Sequence, residues 1–175
     1  IAGEVEKKFP DVWVETLAYQ YTRTAPLKVR PRENVVVRLC SIECSFVQTL
    51  GEGEQNKPFR TDIEAWSKIA PRLFVWDYVT NFSHYLVPHP NLRVLAPNVR
   101  FFVRNNVVGL FEQGDSQSGI GDFVRLRAWL IAHLMWNPDE DETALIDEFL
   151  QGYYGPAAPH LKEYLDLIND AGQRD

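Results

Sequence analysis

Apolar residues recur along this chain in short blocks, and the spacing changes between blocks. Residues 1–9 read as the end of an amphipathic helix stopped by Pro10. Trp13 to Thr22, rich in Val, Thr, Tyr and Trp, predicts a strand. A polar loop with Pro26, Pro31, Lys28, Arg30 and Arg32 separates it from a second strand, Val35 to Glu43. The glycine-rich, charged stretch Leu50 to Pro58 is long enough to be a lid or rim segment. Thr61 and Glu64 have the spacing of a capping box. They would open a helix that carries Ile63, Trp66 and Ile69 and stops near Pro71. Leu73 to Tyr78 is the third strand. Pro97 fits the first turn of a helix with Val99, Phe102 and Val103 on its apolar face, ended by Asn105 and Asn106. The fourth strand, Val107 to Gly114, ends in a carboxylate, an amide and a glycine.

From residue 122 onward the period is helical. Phe123, Leu126, Leu130 and Leu134 make one face, and Asp139 to Glu142 resembles a capping box ahead of Leu145, Ile146, Phe149 and Leu150. Gly152, Gly155 and Pro156 punctuate the pattern, and Leu161, Tyr164, Leu165 and Ile168 form the face of a last helix. The predicted order is therefore α, β, β, α, β, α, β, α, α, α. Strands buried on both faces and separated by helices imply a parallel sheet. A (β/α)8 barrel needs eight strands and typically about 250 residues. We therefore read residues 1–175 as a single α/β domain, the carboxyl-terminal half of a (β/α)8 (TIM) barrel. Residues 1–121 hold its four strands and connecting helices, and 122–175 are helical. Its partner would be the remaining half of the barrel or a second copy.

Charge and composition narrow the function. The 175 residues are 45% hydrophobic and 24% charged, with a net charge of -6, which disfavours a sequence-independent grip on nucleic acid. The chain lacks the run of about 18 apolar residues that a membrane-spanning helix requires. It opens at Ile1 within a predicted helix and carries no visible signal peptide, the pattern of a piece of a longer protein of unassigned compartment. Cys40 and Cys44 would be about 13 Å apart in an extended strand, too far for a disulfide, and read as free thiols. They are too few for a zinc site, and His84 and His89 have no spaced partner, so no metal or cofactor is expected. Glycines 114, 119 and 121 fit no phosphate-loop spacing.

The ends of the strands carry the candidate chemistry. Each of three strands delivers an acid near its carboxyl end: Glu43, Asp77 and Glu112. Parity puts Asp77 on the face of Val75 and Glu112 on the face of Leu110. If these are the barrel-interior positions, the two acids converge from strands about 4.8 Å apart. A carboxylate pair can hydrolyse a glycosidic bond, retaining at about 5–5.5 Å separation and inverting at about 6.5–9.5 Å. Capping a helix or pairing with Arg72 or Arg104 is the structural alternative. Glu43 is the third candidate, on the face of Val37, Leu39 and Ser41, with Arg38 on the opposite face. Tyr19, Trp76 and Tyr78 are candidates for stacking on a sugar ring, with core packing as the alternative. Gln113 and Asn81 are candidates for bonding hydroxyls, and Asn81 equally suits the loop backbone. Asn81 to Ser83 also matches a glycosylation sequon.

Four stretches, Arg38 to Cys44, Val75 to Phe82, Asn98 to Phe102 and Gly109 to Gly114, resemble a bacterial family of unknown function. Leu134 to Pro138 and Glu148 to Gly155 continue the resemblance over nearly the whole chain. That family is found in large proteins with glycoside-hydrolase-like barrels, distantly similar to alpha-glucuronidases and hexosaminidases. The resemblance implies a barrel acting on a poly- or oligosaccharide, often in secreted proteins. It also implies that Asp77 and Glu112 match late-strand acids that act together as a base pair, the acid catalyst coming from an earlier strand. The expected activity is glycoside hydrolysis by strand-end carboxylates. A non-catalytic carbohydrate-binding or structural domain is the alternative.

Overall fold

A computed structural model describes residues 1–172; the last three residues of the predicted helical part, 173–175, lie outside the described residues. Four parallel strands form one sheet in the order β1-β2-β3-β4, with β1 Val14–Ala18, β2 Val35–Cys40, β3 Arg72–Tyr78 and β4 Val107–Gln113. Helix α1 (Ala2–Lys8) precedes β1, α2 (Lys57–Trp66) joins β2 to β3, and α3 (Leu92–Arg104) joins β3 to β4. Helices α4 (Val124–Trp136), α5 (Glu142–Tyr154) and α6 (Ala158–Gly172) follow. The fold is α/β, and the helix and strand order is the one the periodicity predicts.

The two faces of the sheet differ. Val37, Leu39, Leu73 and Val75 pack beneath Phe59, Ile63 and Trp66 of α2 and Phe101 and Phe102 of α3. A second core joins Leu95, Ala96 and Val99 of α3 to Leu126, Leu130 and Leu134 of α4, with Leu145 of α5 and Leu165 of α6 beside them. Burying each such side chain stabilises the fold by about 1.5–3 kcal/mol. On the other face Leu17 and Phe111 each remain 47% exposed. The sheet is thus covered by helices on one side, whereas the sequence pattern predicts burial on both.

Register is continuous except at one point. Leu73 pairs with Val107 but Phe74 pairs with Gly109, so Val108 bulges out of the ladder. The glycine is required there, because a Cβ on Gly109 would lie 2.5 Å from the Phe74 ring. The bulge shifts the pairing by one residue and brings Glu112 opposite Asp77.

Several predicted boundaries move for identifiable reasons. Helix α2 starts at Lys57 with Pro58 in its first turn, so Thr61 does not cap it. The Thr61 hydroxyl instead donates to the Lys57 carbonyl at 3.0 Å. Pro97 lies inside α3, not in its first turn. Its missing N–H costs one helical bond, and burial of Leu92, Leu95, Ala96 and Val99 carries the helix through it. Strand β1 ends at Ala18 and gives way to a 3-10 turn at Gln20–Thr22. Asp141 rather than Asp139 caps α5, its Oδ1 accepting from the Thr143 and Ala144 amides at 2.9 and 3.2 Å. Gly152 is helical, and α5 stops at Gly155, whose φ is 55°.

Strand β2 also ends early, at Cys40. The next residues turn, with the Cys44 amide donating to the Ser41 carbonyl at 2.9 Å. Glu43 therefore lies beyond the strand, where face parity has no meaning. Both cysteines are free, Cys40 buried and Cys44 half-buried. The glycine-rich segment after them is pinned by buried Asn56. Its Oδ1 accepts from the Ser45 amide at 2.7 Å, and its Nδ2 donates to the carbonyls of Ser45, Gln48 and Thr49.

Candidate functional site

Adjacent strands bring Asp77 and Glu112 side by side at the carboxyl end of the sheet. Asp77 is 3% exposed and lies on the face of Val75, the face that α2 and α3 cover. The pair is therefore on the helix side of the sheet, not on the uncovered side where a barrel interior would be. Asp77 accepts a hydrogen bond from the Ser41 hydroxyl, and Glu112 stands beside it on the neighbouring strand. Glu112 as a residue is half-buried, but its Oε2 is closed to solvent and has no donor within reach. Two carboxyls buried side by side do not readily ionise together, because each charge opposes the other.

The energetics of the pair follow from where it lies. Burial raises the Asp77 pKa from 3.8 to about 6, against the lowering effect of the Ser41 hydroxyl. Burial, and then the neighbouring Asp77 charge, push Glu112 well above the ordinary carboxylate range. Both carboxyls therefore hold their protons to higher pH than exposed carboxylates do, and they titrate as one unit. Ser41 had no assigned role in the sequence. Its position two residues beyond Leu39 on the same parity is the signal that could have found it.

Glu43 does not join this pair. Arg23 holds it at 2.8 Å and holds Asp62 at 2.7 Å, and the Arg23 carbonyl accepts from the Trp66 indole at 2.6 Å. With the Asp62 and Arg23 side chains only 11% and 10% exposed, this is an ion pair that ties α2 to the rim.

The face opposite the helices carries the aromatic candidates, with Trp76 half-buried and Tyr78 only 9% exposed. Trp76 stacks on Tyr78 with ring centres 6.1 Å apart and meets Phe111 edge-on at 5.3 Å. Tyr78 continues the row to Phe46 at 6.0 Å and Phe82 at 5.8 Å. The Trp76 indole N–H donates to Gln113 Oε1 at 2.7 Å. That bond fixes the amide's orientation and leaves its NH2 group free to donate. Tyr19 precedes the 3-10 turn after β1, and its hydroxyl accepts from the Gln20 amide at 3.4 Å. Asn81 serves the loop backbone, accepting from the Ser83 and His84 amides at 3.2 and 3.1 Å. Phe46, Phe82 and Phe111 complete the row, and no periodicity in the sequence singles them out.

Beyond β4, Arg127 of α4 is enclosed by Asp122 at 2.9 Å, Asn91 at 2.7 Å and the His89 carbonyl at 2.7 Å. Burial first, then the Arg127 charge, lowers the His89 pKa to about 4. Among the described residues, no group of three or more His, Cys, Asp and Glu side chains is placed to hold a metal ion, and no helix is long and apolar enough to cross a membrane.

No curated protein and no solved structure matches this chain. A protein family does match, across residues 1–166 and so through all four strands, the carboxyl pair and the aromatic row. The chain belongs to the family described as Domain of unknown function (DUF4838).

Proposed function

We propose that the chain forms one wall of a carbohydrate-binding cleft in a glycoside-hydrolase-like domain, with sugar stacked on the uncovered face of the sheet. Four parallel strands with helices on one face are half the layout of a (β/α)8 barrel. In that layout the uncovered face is the interior, and the carboxyl ends of the strands form the site. The observation that carries the reading is the row of Trp76, Tyr78 and Phe111 at that end, beside the free amide donors of Gln113. Aromatic faces pack against the C–H face of a pyranose, and an amide suits its hydroxyls. Titrating the protein with a panel of neutral and acidic oligosaccharides, followed by tryptophan fluorescence, tests it. Saturable binding that weakens at least about tenfold in Trp76→Ala supports the cleft. Absence of binding across the panel would sink it.

The placement of Asp77 and Glu112 side by side at the carboxyl end of the sheet favours a second, catalytic reading. Asp77 is enclosed on the helix-covered face, so a sugar does not reach between the two carboxyls and they do not flank a glycosidic bond as acid and base. They would act as one unit on a water molecule, with the opposing acid supplied from outside these four strands. In the hydrolysing protein Glu112→Gln and Asp77→Asn would then each abolish turnover while sugar binding persists. Unchanged turnover in both variants removes the pair from catalysis.

A further inference from the structure

The two edges of the sheet are built differently. Strand β1 has five residues, exposes Glu15 and Thr16, and ties Glu15 to Arg38 of β2 at 2.6 Å. A short strand with charged side chains is blunted against further pairing. Strand β4 has seven residues, and its one ionisable side chain, Glu112, comes near its end. None of the seven is fully buried, and Val108 and Phe111 are 64% and 47% exposed. Among the described residues no strand pairs with its outer edge. An apolar edge with unpaired backbone groups is a template for another strand.

The flank of β4 is apolar as well. Two cavities, of about 380 and 340 Å³, run along it and meet at Leu110 and Met135. The second is lined by apolar residues alone, Val103, Val108 and Pro138 among them. Helix α4 adds Ala128, Ala132 and Met135, all exposed and spaced four and three residues apart, as one stripe beside the strand. Continuous exposed apolar surface of this kind marks an interface.

We propose that this flank is a homodimer interface, in which β4 pairs antiparallel with β4 of a second copy about a twofold axis at Leu110. Closing a barrel would pair both edges of the sheet, and β1 is the protected one. A twofold axis uses β4 twice and leaves β1 free. Because the two cavities meet at Leu110, the axis there lays each cavity against the other cavity of the second copy. It sets Phe111 of each copy opposite Gly109 of the other. The Phe74 ring already lies over that glycine, so aromatic rings meet across the joint. It also keeps the two Glu112 carboxyls apart. In the helix layer, Ala128 and Ala132 are small enough to let two α4 helices approach closely. The sugar wall stays an open face of the joined sheet, and Phe111, which belongs to both, is left unaltered in the test.

Sedimentation velocity of the whole protein, without sugar, from about 1 to 200 μM tests the proposal. A reversible dimer is expected. Val108→Lys and Met135→Glu, both at exposed positions, should each weaken it at least about tenfold while circular dichroism stays unchanged. Leu17→Lys, in β1, should leave it intact. Leu110→Cys should form a disulfide-linked dimer on mild oxidation that the wild type does not form, since directly opposed residues have Cα atoms about 4.5–5.5 Å apart. A monomer at every concentration, with the flank left to some other chain, overturns the proposal. So does a dimer that survives both Val108→Lys and Met135→Glu, one that Leu17→Lys alone disrupts, or one that Leu110→Cys does not link. None of these outcomes bears on sugar binding, which the oligosaccharide titration decides separately.

Discussion

The Asp77–Glu112 pair makes stability depend on pH in a direction opposite to that of an ordinary salt-bridged acid. Both carboxyls hold protons more tightly folded than unfolded, so the native state binds more protons between the two sets of pKa values. Stability then falls as pH rises. For Asp77 the window opens at its unfolded value of 3.8 and closes at about 6. At about 1.4 kcal/mol per pH unit, that window is worth about 3 kcal/mol. Glu112 is raised too, by burial first and then by the Asp77 charge, so it also contributes stability that is lost as pH rises. Urea denaturation midpoints measured from pH 4 to 9 by tryptophan fluorescence should therefore decline with rising pH. Glu112→Gln cannot ionise, so it should flatten the decline in part and leave the Asp77 share of about 3 kcal/mol, which comes first from burial. Asp77→Asn should remove that share. A wild-type profile that is flat, or that rises with pH through this range, would refute the burial-raised protonation of the pair.

Three further perturbations probe the scaffold. Gly109→Ala should cost about 1–3 kcal/mol, because its Cβ would collide with the Phe74 ring. Adding Phe74→Leu should recover part of that in a double-mutant cycle of chemical denaturation. Arg23→Met should cost about 3–5 kcal/mol, since it strands buried Asp62 without its partner. A thermal melt within a degree of wild type would show the network to be dispensable. Asn56→Ala unties the loop after β2 by removing the acceptor for the Ser45 amide and the donor to three carbonyls. We expect a loss of about 1–3 kcal/mol and faster amide exchange and proteolysis confined to residues 45–56.

Local chemistry alone determined the order of the elements. Runs such as Val35-Val-Val and Leu73-Phe-Val can only be short strands, and Leu126, Leu130 and Leu134 fall on one helical face. Period and β-branching are properties of neighbours in the chain, so they survive without any knowledge of the fold. The acids at strand ends were legible for the same reason. Three matters were decided by contacts between segments distant in sequence. Helix boundaries moved because tertiary burial outweighed cap and proline signals at Thr61 and Pro97. The covered face could not be known, because alternation says that two faces differ but not which one α2 and α3 will take. Asp77 consequently lies under the helices and Trp76 on the open side. The pairing of Asp77 with Glu112 rests on a bulge at Val108 that no local pattern announces. Without that one-residue shift Asp77 would face Phe111, and the two carboxyls would lie on opposite faces of the sheet.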